Sequence, residues 1–406
     1  MASISCNELA GRLLACCLNG EHWPPDLLDR LLAPDCADAL IRIVVERLAD
    51  LFEPRLCDIY AELFSEAIAR SIPELNAADL IARYRRIRAP RRVQIEPATV
   101  FVLSRVTLGA DVAVTSVLLD AAKRRFPRAR IVLAGGRKSW ELFAADPRID
   151  HASISYRRTG SLRDRLGPWT DLRQLLSQPD SIVIDPDSRL TQLGLLPVSP
   201  EEDYYFFESR AYGGDGDDPL PVLTARWARE IMDVEDAAPY IAPAELPEIP
   251  GRPFVTMSLG VGENPAKRIA DPFEQQLVAH LASRAAHVLI DQGAGGEEAE
   301  RVERAVASSR SDRIRRIHGS FAAFASLIAS SDLYIGYDSA GQHVAAACGV
   351  PLVSIFTGFA SPRMLARWRP SGKGPMEVIA VSGPESPLAS TVAAVDKLLA
   401  RGPRRV

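Results

Sequence analysis

The chain has 406 residues, of which 47% are hydrophobic and 25% charged, and its formal net charge is -4. This length allows two or three domains with large cores. The near-neutral charge argues against a nucleic-acid partner, which would require a strong basic excess, and no apolar stretch reaches the roughly 18 residues of a membrane span.

Residues 1–95 are predicted to form a helical N-terminal domain. Apolar residues recur at three- and four-residue spacing in DLLDRLLAPDCADALIRIVVERLADLF and in IYAELFSEAIARSI. Asn76 is expected to cap the last of these helices, and Pro90 to stop it. No basic leader of a signal peptide precedes them. We therefore expect a cytoplasmic protein with at most peripheral membrane contact, and a helical domain that can serve homo-oligomer formation.

Five of the six cysteines lie in this helical segment: Cys6, Cys16, Cys17, Cys36 and Cys57. They form no C-x-x-C pair, and the spacing that a zinc or iron site requires is absent. Buried, reduced thiols are the expectation.

From about residue 96, strand-like runs alternate with amphipathic helical stretches, which is typical of βαβ units and a parallel sheet. The runs are TVFVLS, RIVLAGG and SIVIDPD, then FVTMSLG, HVLIDQG, RIRRIHG, DLYIGYD and PLVSIF. The segment from Tyr212 to Pro253 is rich in proline and glycine and is expected to be a linker with one helix.

The predicted fold class is α/β, with two Rossmann-like domains that face a cleft. They span residues 96–245 and 250–385 and follow the helical domain. Residues 386–406 form a C-terminal helix and tail, which we expect to pack back across the domain boundary.

The segment DSAGQHVAAACGVP, residues 338–351, lies where a predicted strand becomes a helix. Ligands of open α/β sheets bind at the carboxyl ends of strands. Small residues in the first helical turn let an anion approach free N–H groups, and the helix dipole favours its charge. Ser339 and His343 can add donors. The pattern predicts a pyrophosphate cradle, and its structural alternative is a tight turn with a core histidine.

These residues resemble the ADP-heptose heptosyltransferases of glycosyltransferase family 9, which are metal-independent, inverting enzymes of the GT-B fold. The C-terminal signature of that family, D-[ST]-G-x-x-H-x-A-A-x-x-G-x-P, is similar to residues 338–351, with its glycine displaced to Gly341. The N-terminal signature R-x-x-x-x-G-D-V is similar to RVTLGADV, which contains Arg105, Gly109 and Asp111. The resemblance covers about residues 96–385, so the helical domain has no counterpart.

The resemblance implies roles for the matched residues. Lys267, in ENPAKRIADPF, takes the position of the family's lysine and is expected to stabilise the leaving diphosphate. Asp111 is expected to be the catalytic base, although an acid at this place can also simply cap a helix. The nucleotide-sugar site comprises Asp338, Ser339, Ala340, Gly341, Gln342, His343 and Gly260, with Glu297 or Glu298 for the ribose hydroxyls. The acceptor side comprises Arg105, Gly109, Arg189 and Gln192.

The resemblance implies that no cofactor or metal is required and that a nucleotide-sugar donor is the substrate. The acid pairs Asp185/Asp187 and Asp215/Asp217 mimic the D-x-D metal motif of another glycosyltransferase fold, but solvation explains them as well. The absence of G-x-x-x-x-G-K-[ST] and G-x-G-x-x-G disfavours ATPases and dinucleotide enzymes.

The resemblance implies transfer of heptose from ADP-heptose to a hydroxyl of a glycan, lipid, protein or small molecule. Three alternatives stay open: the same fold with another nucleotide sugar, a sugar-nucleotide epimerase, and a non-catalytic nucleotide-sugar-binding protein. The aromatic run Tyr204–Phe207 either faces the acceptor or forms a buried strand.

Overall fold

A computed structural model describes residues 4–402, apart from 158–159, 246, 249–250, 263, 294 and 310. Residues 4–95 are helical, as predicted. The helices are α1 (Cys6–Asn19), α2 (Pro25–Leu32), α3 (Ala37–Ala39), a π-helical turn (Leu40–Val45), α4 (Glu46–Asp50), α5 (Pro54–Ser71) and α6 (Ala77–Ile87). Side-chain caps mark the starts of α1 and α6. Ser5 and Glu8 form a capping box at α1, and Asn76 Oδ1 accepts from the N–H of Ala78 at 2.8 Å, which confirms the predicted cap.

Cys6 and Cys36 form a disulfide bond, which corrects the prediction of reduced thiols for this pair. Helix packing brings their Cα atoms to 5.1 Å, a proximity that their separation of 30 residues did not reveal. Cys17 and Cys57 are buried free thiols, as predicted, and Cys16 is free and half-buried.

The first α/β unit is a parallel sheet of five strands in the order β3-β2-β1-β4-β5. Its strands are β1 (Thr99–Leu103), β2 (Arg130–Gly135), β3 (Ile149–Ser153), β4 (Ser181–Asp185) and β5 (Tyr204–Phe206). Its helices are α7 (Leu108–Ala110), a π-helical turn (Asp111–Thr115), α8 (Ser116–Arg125), α9 (Arg137–Trp140), α10 (Leu162–Leu166), α11 (Trp169–Leu176) and α12 (Leu220–Met232), with 3-10 turns at Glu141–Phe143, Arg189–Thr191 and Glu201–Asp203. The aromatic run is a buried strand, and α12 packs on α8 rather than forming part of a free linker.

The second unit is a parallel sheet of six strands in the order β11-β10-β9-β6-β7-β8. Its strands are β6 (Phe254–Ser258), β7 (His287–Asp291), β8 (Ile314–Ile317), β9 (Leu333–Tyr337), β10 (Leu352–Phe356) and β11 (Met376–Ala380). A 3-10 turn (Pro265–Lys267) follows β6, and the helices are α13 (Phe273–Arg284), α14 (Gly296–Ser309), α15 (Phe321–Ser330), α16 (Ala340–Ala347), α17 (Pro362–Trp368) and α18 (Leu388–Leu399). All eight strand-like runs of the sequence are strands.

The C-terminal helix α18 packs on α13, β10 and β11 of its own unit, so the prediction that it crosses the domain boundary was wrong. Helix α17 makes the crossing instead. Arg363 Nε donates to the carbonyl of Phe52 at 2.5 Å. The buried Arg367 donates to the carbonyls of Asp218 at 2.8 Å and Gly214 at 3.0 Å.

The N-terminal helices share one hydrophobic core with the first sheet. Leu28 and Phe64 of the helices belong to the same buried cluster as Phe101, Val132 and Phe206 of the strands. The helices therefore cover one face of this sheet as a layer, and the boundary predicted at residue 95 does not separate two cores. None of the described helices is long and apolar enough to span a membrane.

The opposite face of the first sheet is covered by α8 and α12, and its buried cluster extends into the second unit. Val117 and Trp227 belong to the same cluster as Phe324 and Val344. This apolar contact joins the two units behind the cleft.

Candidate active site

A cavity of about 710 Å³ lies between the two units. In each sheet the chain order reverses between two adjacent strands, β1 and β4 in the first and β6 and β9 in the second. The loops that leave the carboxyl ends of these four strands all contribute to the wall of the cavity. Ligands of doubly wound sheets bind at such switch points, and the volume suits a small-molecule substrate.

Lys267 and Asp338, both predicted site residues, meet in this cavity. Lys267 Nζ donates to Asp338 Oδ2 at 2.6 Å, with side chains 17% and 9% exposed. The 3-10 turn that carries the lysine begins at Asn264, whose side chain accepts from the N–H of Ala266 at 3.1 Å. The loop after β6 thus presents a fixed cation to the loop after β9.

The first turn of α16 also opens onto the cavity. Ser339 and Ala340 are half-buried and line it. Ser339 has extended backbone, and its side chain makes no capping bond. The first N–H groups of a helix have no intrahelical acceptor, so this turn offers donors to an anion beside Lys267.

Gly341 and Gln342 do not line the cavity, which corrects their assignment to the nucleotide-sugar site. A Cβ at Gly341 would lie 2.1 Å from the Tyr334 hydroxyl, so only glycine fits there. Gln342 is fully buried, and its Nε2 donates to Asp338 Oδ1 at 2.6 Å. Both residues therefore stabilise the turn between β9 and α16 from inside the protein.

His343 lies on the cavity wall and is 4% exposed. Burial lowers its pKa to about 4, so the imidazole is neutral at pH 7. Its ring packs edge-on against Trp368, with centroids 5.9 Å apart. A neutral ring in this position can donate a hydrogen bond to a ligand without adding charge.

Of the two glutamates predicted for the ribose, Glu298 lines the cavity and Glu297 does not. A Cβ at Gly260, which also lines the cavity, would lie 2.3 Å from Glu298 Oε1. Glycine at this position therefore lets the loop after β6 approach the carboxylate. Glu297 points outward and pairs with Arg268, so its assignment to the site was wrong.

All four predicted acceptor-side residues line the cavity: Arg105, Gly109, Arg189 and Gln192. Arg105 Nη1 donates to Ser209 Oγ at 2.6 Å. A Cβ at Gly109 would lie 3.3 Å from Ala340 Cα, so the loop after β1 touches the start of α16. This contact brings the two predicted walls of the cavity together.

Asp111 lies beneath the wall and not on it, which corrects the prediction that its carboxylate faces the cleft. It is 0% exposed. Oδ1 accepts from the Arg105 N–H at 2.7 Å and from Thr115 Oγ1 at 2.8 Å, and Oδ2 accepts from Ser104 Oγ at 2.8 Å. Burial raises the pKa of this carboxyl, and these hydrogen bonds oppose the rise. In this arrangement Asp111 stabilises the loop after β1, which lines the cavity.

Three acids of the pairs that resemble D-x-D contact other groups of the protein. Asp187 is buried in an ion pair with Arg210 at 2.9 Å, and Asp185 accepts from the Ser188 N–H at 2.7 Å. Burial raises the pKa of Asp185 to about 6. Asp215 is exposed beside Arg363. Among the described residues, no group of three or more His, Cys, Asp or Glu side chains could hold a metal ion.

Sequence reasoning missed several residues of the wall. Asp291 ends β7, and Ser320 and Phe321 open α15 after β8, so their position at strand ends could have revealed them. Glu46 and Asp50 come from α4, in the helical segment. No signal marked these two acids, because polar positions of an amphipathic helix ordinarily face solvent.

Residues 232–382 match the family model described as glycosyltransferase family 9 (heptosyltransferase). No curated protein matches the chain by sequence. A glycosyl transferase of family 9 from Veillonella parvula DSM 2008 is similar in structure, with a TM-score of 0.57 at 14% identity, over 77% of this chain and 99% of that one. The E. coli ADP-heptose LPS heptosyltransferase II is similar with a TM-score of 0.52 at 18% identity, over 75% of this chain and 99% of that one. The E. coli heptosyltransferase WaaC with ADP is similar with a TM-score of 0.55 at 13% identity, over 75% of this chain and 99% of that one.

The fold therefore defines the architecture of this protein as GT-B, with two facing Rossmann-like domains, which the similar solved glycosyltransferases share. Residues 232–382, which include the second unit, match glycosyltransferase family 9, and for this part of the chain the resemblance predicted from the sequence is confirmed.

Proposed function

We propose that the protein transfers heptose from ADP-heptose to a hydroxyl group of an acceptor sugar. The observation that carries this proposal is the pairing of Lys267 with Asp338 beside the open first turn of α16, inside the cavity between the two units. A fixed cation next to free helical N–H groups suits a diphosphate.

The donor would lie along the second unit. Its diphosphate would take the first turn of α16 and Lys267, where Ser339 and neutral His343 add donors. Glu298 would accept from the two ribose hydroxyls, since a carboxylate can bond two neighbouring OH groups. The nucleobase would approach Phe321, which also lines the cavity.

The proposed mechanism is a single displacement that inverts the anomeric centre. As the bond from the sugar to the β-phosphate breaks, negative charge develops on the phosphate oxygen. Lys267 and the N–H groups of α16 would stabilise that charge, so the chain's own residues supply the positive field. The base role of Asp111 stays a prediction, and in this structure both of its oxygens accept hydrogen bonds under the loop.

The first substrates to test follow from the similar structures, which include an ADP-heptose LPS heptosyltransferase. ADP-heptose should raise the thermal midpoint of the protein more than other nucleotide sugars do, since a ligand of the native state stabilises it. ADP release should then require heptose-deficient lipopolysaccharide and should persist in EDTA.

Other outcomes favour the alternatives. Conversion of the nucleotide sugar without an acceptor favours an epimerase, and binding without turnover favours a non-catalytic binding protein. Stabilisation by a different nucleotide sugar alone would overturn the choice of donor.

A further inference from the structure

The N-terminal helices support the loop after β4, which lines the cavity. Tyr60 Oη of α5 donates to the carbonyl of Gln192 at 3.4 Å, and the buried Arg83 of α6 donates from Nη1 to the carbonyl of Gly194 at 2.7 Å. Because these helices share a core with the first sheet, they fix the loop relative to the cavity. The segment without a counterpart in the family therefore shapes this wall.

The backbone of this loop is strained where it meets the cavity. Gln192 and Leu193 have positive φ angles of 51° and 60°, which residues other than glycine rarely adopt. Gln192 is 3% exposed, lines the cavity, and its Nε2 bonds to no group that the structure describes. Strained backbone clusters at binding sites, and buried amide donors are normally paired. Both observations indicate a ligand that accepts a hydrogen bond from Gln192.

Two opposite charges lie on the same wall without touching each other. Asp50 of α4 and Arg189 of the loop after β4 are half-buried and line the cavity. Of the charges that act on Asp50, that of Arg189 is the strongest. Within the part of the chain that the structure describes, neither side chain forms an ion pair or a hydrogen bond. Partly buried charges normally have partners, so both are available to a polar ligand.

The charges of this wall are balanced. The helices and the first unit contribute four cations and three acids to the cavity lining, and two of the acids, Glu46 and Asp50, come from the helices. A fourth acid, Asp38 of α3, pairs with Arg165, one of the four cations, at 3.5 Å. No excess of positive charge is therefore left to hold a carboxylate, and Asp50 would repel one.

A neutral sugar ring fits the chemistry that remains. Each sugar hydroxyl can both accept and donate, so hydroxyls of one ring can accept from Gln192 and Arg189 and donate to Asp50. The half-buried side chain of Tyr156 lines the same cavity and offers an aromatic ring for the apolar face of a sugar.

We propose that the N-terminal helices and the loop after β4 form a binding site for a neutral sugar of the acceptor, in which Asp50 selects against a carboxylated one. This inference rests on the proposed function and concerns binding, not proton transfer. Arg189 and Gln192 donate to hydroxyls of the ring, and Asp50 accepts from one of them. The helices thereby determine which acceptor is used.

The test uses the full-length chain, ADP-heptose and two truncated lipopolysaccharides, one that ends in a carboxylated sugar and one that ends in an unphosphorylated heptose. ADP release is measured at varied acceptor concentration. For the wild type, kcat/KM should be about tenfold or more higher with the neutral end, because like charges disfavour the other.

Asp50→Asn should raise KM for the neutral acceptor about tenfold, because a hydrogen bond to a charged group is weakened, while kcat and the affinity for ADP stay near the wild type. KM for the carboxylated acceptor should stay the same or fall. Gln192→Met, which removes the donor, and Arg189→Gln should also raise KM for the neutral acceptor. Asp26→Asn, at an exposed acid of α2, is the matched control, and thermal midpoints report folding.

A wild type that uses both acceptors equally, or prefers the carboxylated one, would overturn this inference and leave the proposed function standing. An unchanged KM for the neutral acceptor in Asp50→Asn, or an equal rise for both acceptors, would do the same. If Asp50→Asn does not fold, an unchanged KM in Arg189→Gln and Gln192→Met is the overturning result. A wild-type protein that releases ADP with neither acceptor would overturn both proposals.

Discussion

Replacing Asp111 separates a structural acid from a catalytic one. The carboxylate accepts three hydrogen bonds in a place that water does not reach. Asp111→Ala removes both acceptor oxygens and with them all three hydrogen bonds. The Ser104 hydroxyl can turn toward Ser139, whose Oγ lies 3.3 Å away, but the Arg105 N–H is fixed by the backbone and stays unpaired.

The magnitude follows from these contacts. A buried donor left unpaired costs about 1–3 kcal/mol, and the hydroxyls lose smaller amounts because they can rotate. We expect Asp111→Ala to lower the free energy of unfolding by about 3 kcal/mol. Asp111→Asn keeps one oxygen for Arg105 and Thr115 and presents an NH2 group to Ser104. It should stay within about 1 kcal/mol of the wild type.

The assay is urea unfolding followed by tryptophan fluorescence, together with ADP release. Because the carboxylate holds the acceptor-side loop, Asp111→Ala should lose activity in step with stability, while Asp111→Asn should keep activity within about tenfold. A stable but inactive Asp111→Asn protein would refute this reasoning, since an intact loop without turnover means that the acid takes part in the chemistry.

Three further changes test the donor side and the junction of the units. Lys267→Ala should lower kcat by roughly a hundredfold or more, as expected for loss of charge stabilisation at the leaving group, whereas Lys397→Ala on α18 should match the wild type in the same ADP-release assay. His343 has its pKa lowered to about 4 from an ordinary 6.5, so the stability it contributes is complete above pH 6.5 and is lost as the pH falls toward 4. The free energy of unfolding should drop by up to about 3 kcal/mol over that window. If the free energy of unfolding of His343→Gln fell equally steeply with pH, this prediction would be contradicted. Arg367→Met removes two buried hydrogen bonds between the units and should lower the unfolding free energy by about 1–3 kcal/mol, while the exposed Arg369→Met should change it little.

The sequence revealed the sheets and most of the donor side because these features are local. Each buried parallel strand is a short apolar run, and each predicted donor residue follows such a run closely. Lys267, Asp338 and Glu298 were found in this way, and the strand order then brought them to one edge.

The misses concern the direction in which side chains point and what packs against them, even where the contacting residues are close in the chain. The orientation of Asp111 depends on Ser104 and Thr115, which pull its carboxylate under the loop, and no spacing rule encodes that choice. The roles of Gly341 and Gln342 depend on what packs below α16. The contribution of α4 was hidden because a helical pattern shows which face is buried but not what lies beyond its polar face.

The shared core of the N-terminal helices and the first sheet limits how this protein can be shortened. A polypeptide that began near residue 96 would expose Phe101, Val132 and Phe206 to water along one whole side of the sheet. Such a truncated chain should aggregate rather than yield a smaller transferase. Substitutions on the inner sides of the helices and on the strands beneath them must therefore compensate each other during evolution, so the extension and the domain it covers can diverge only as a pair.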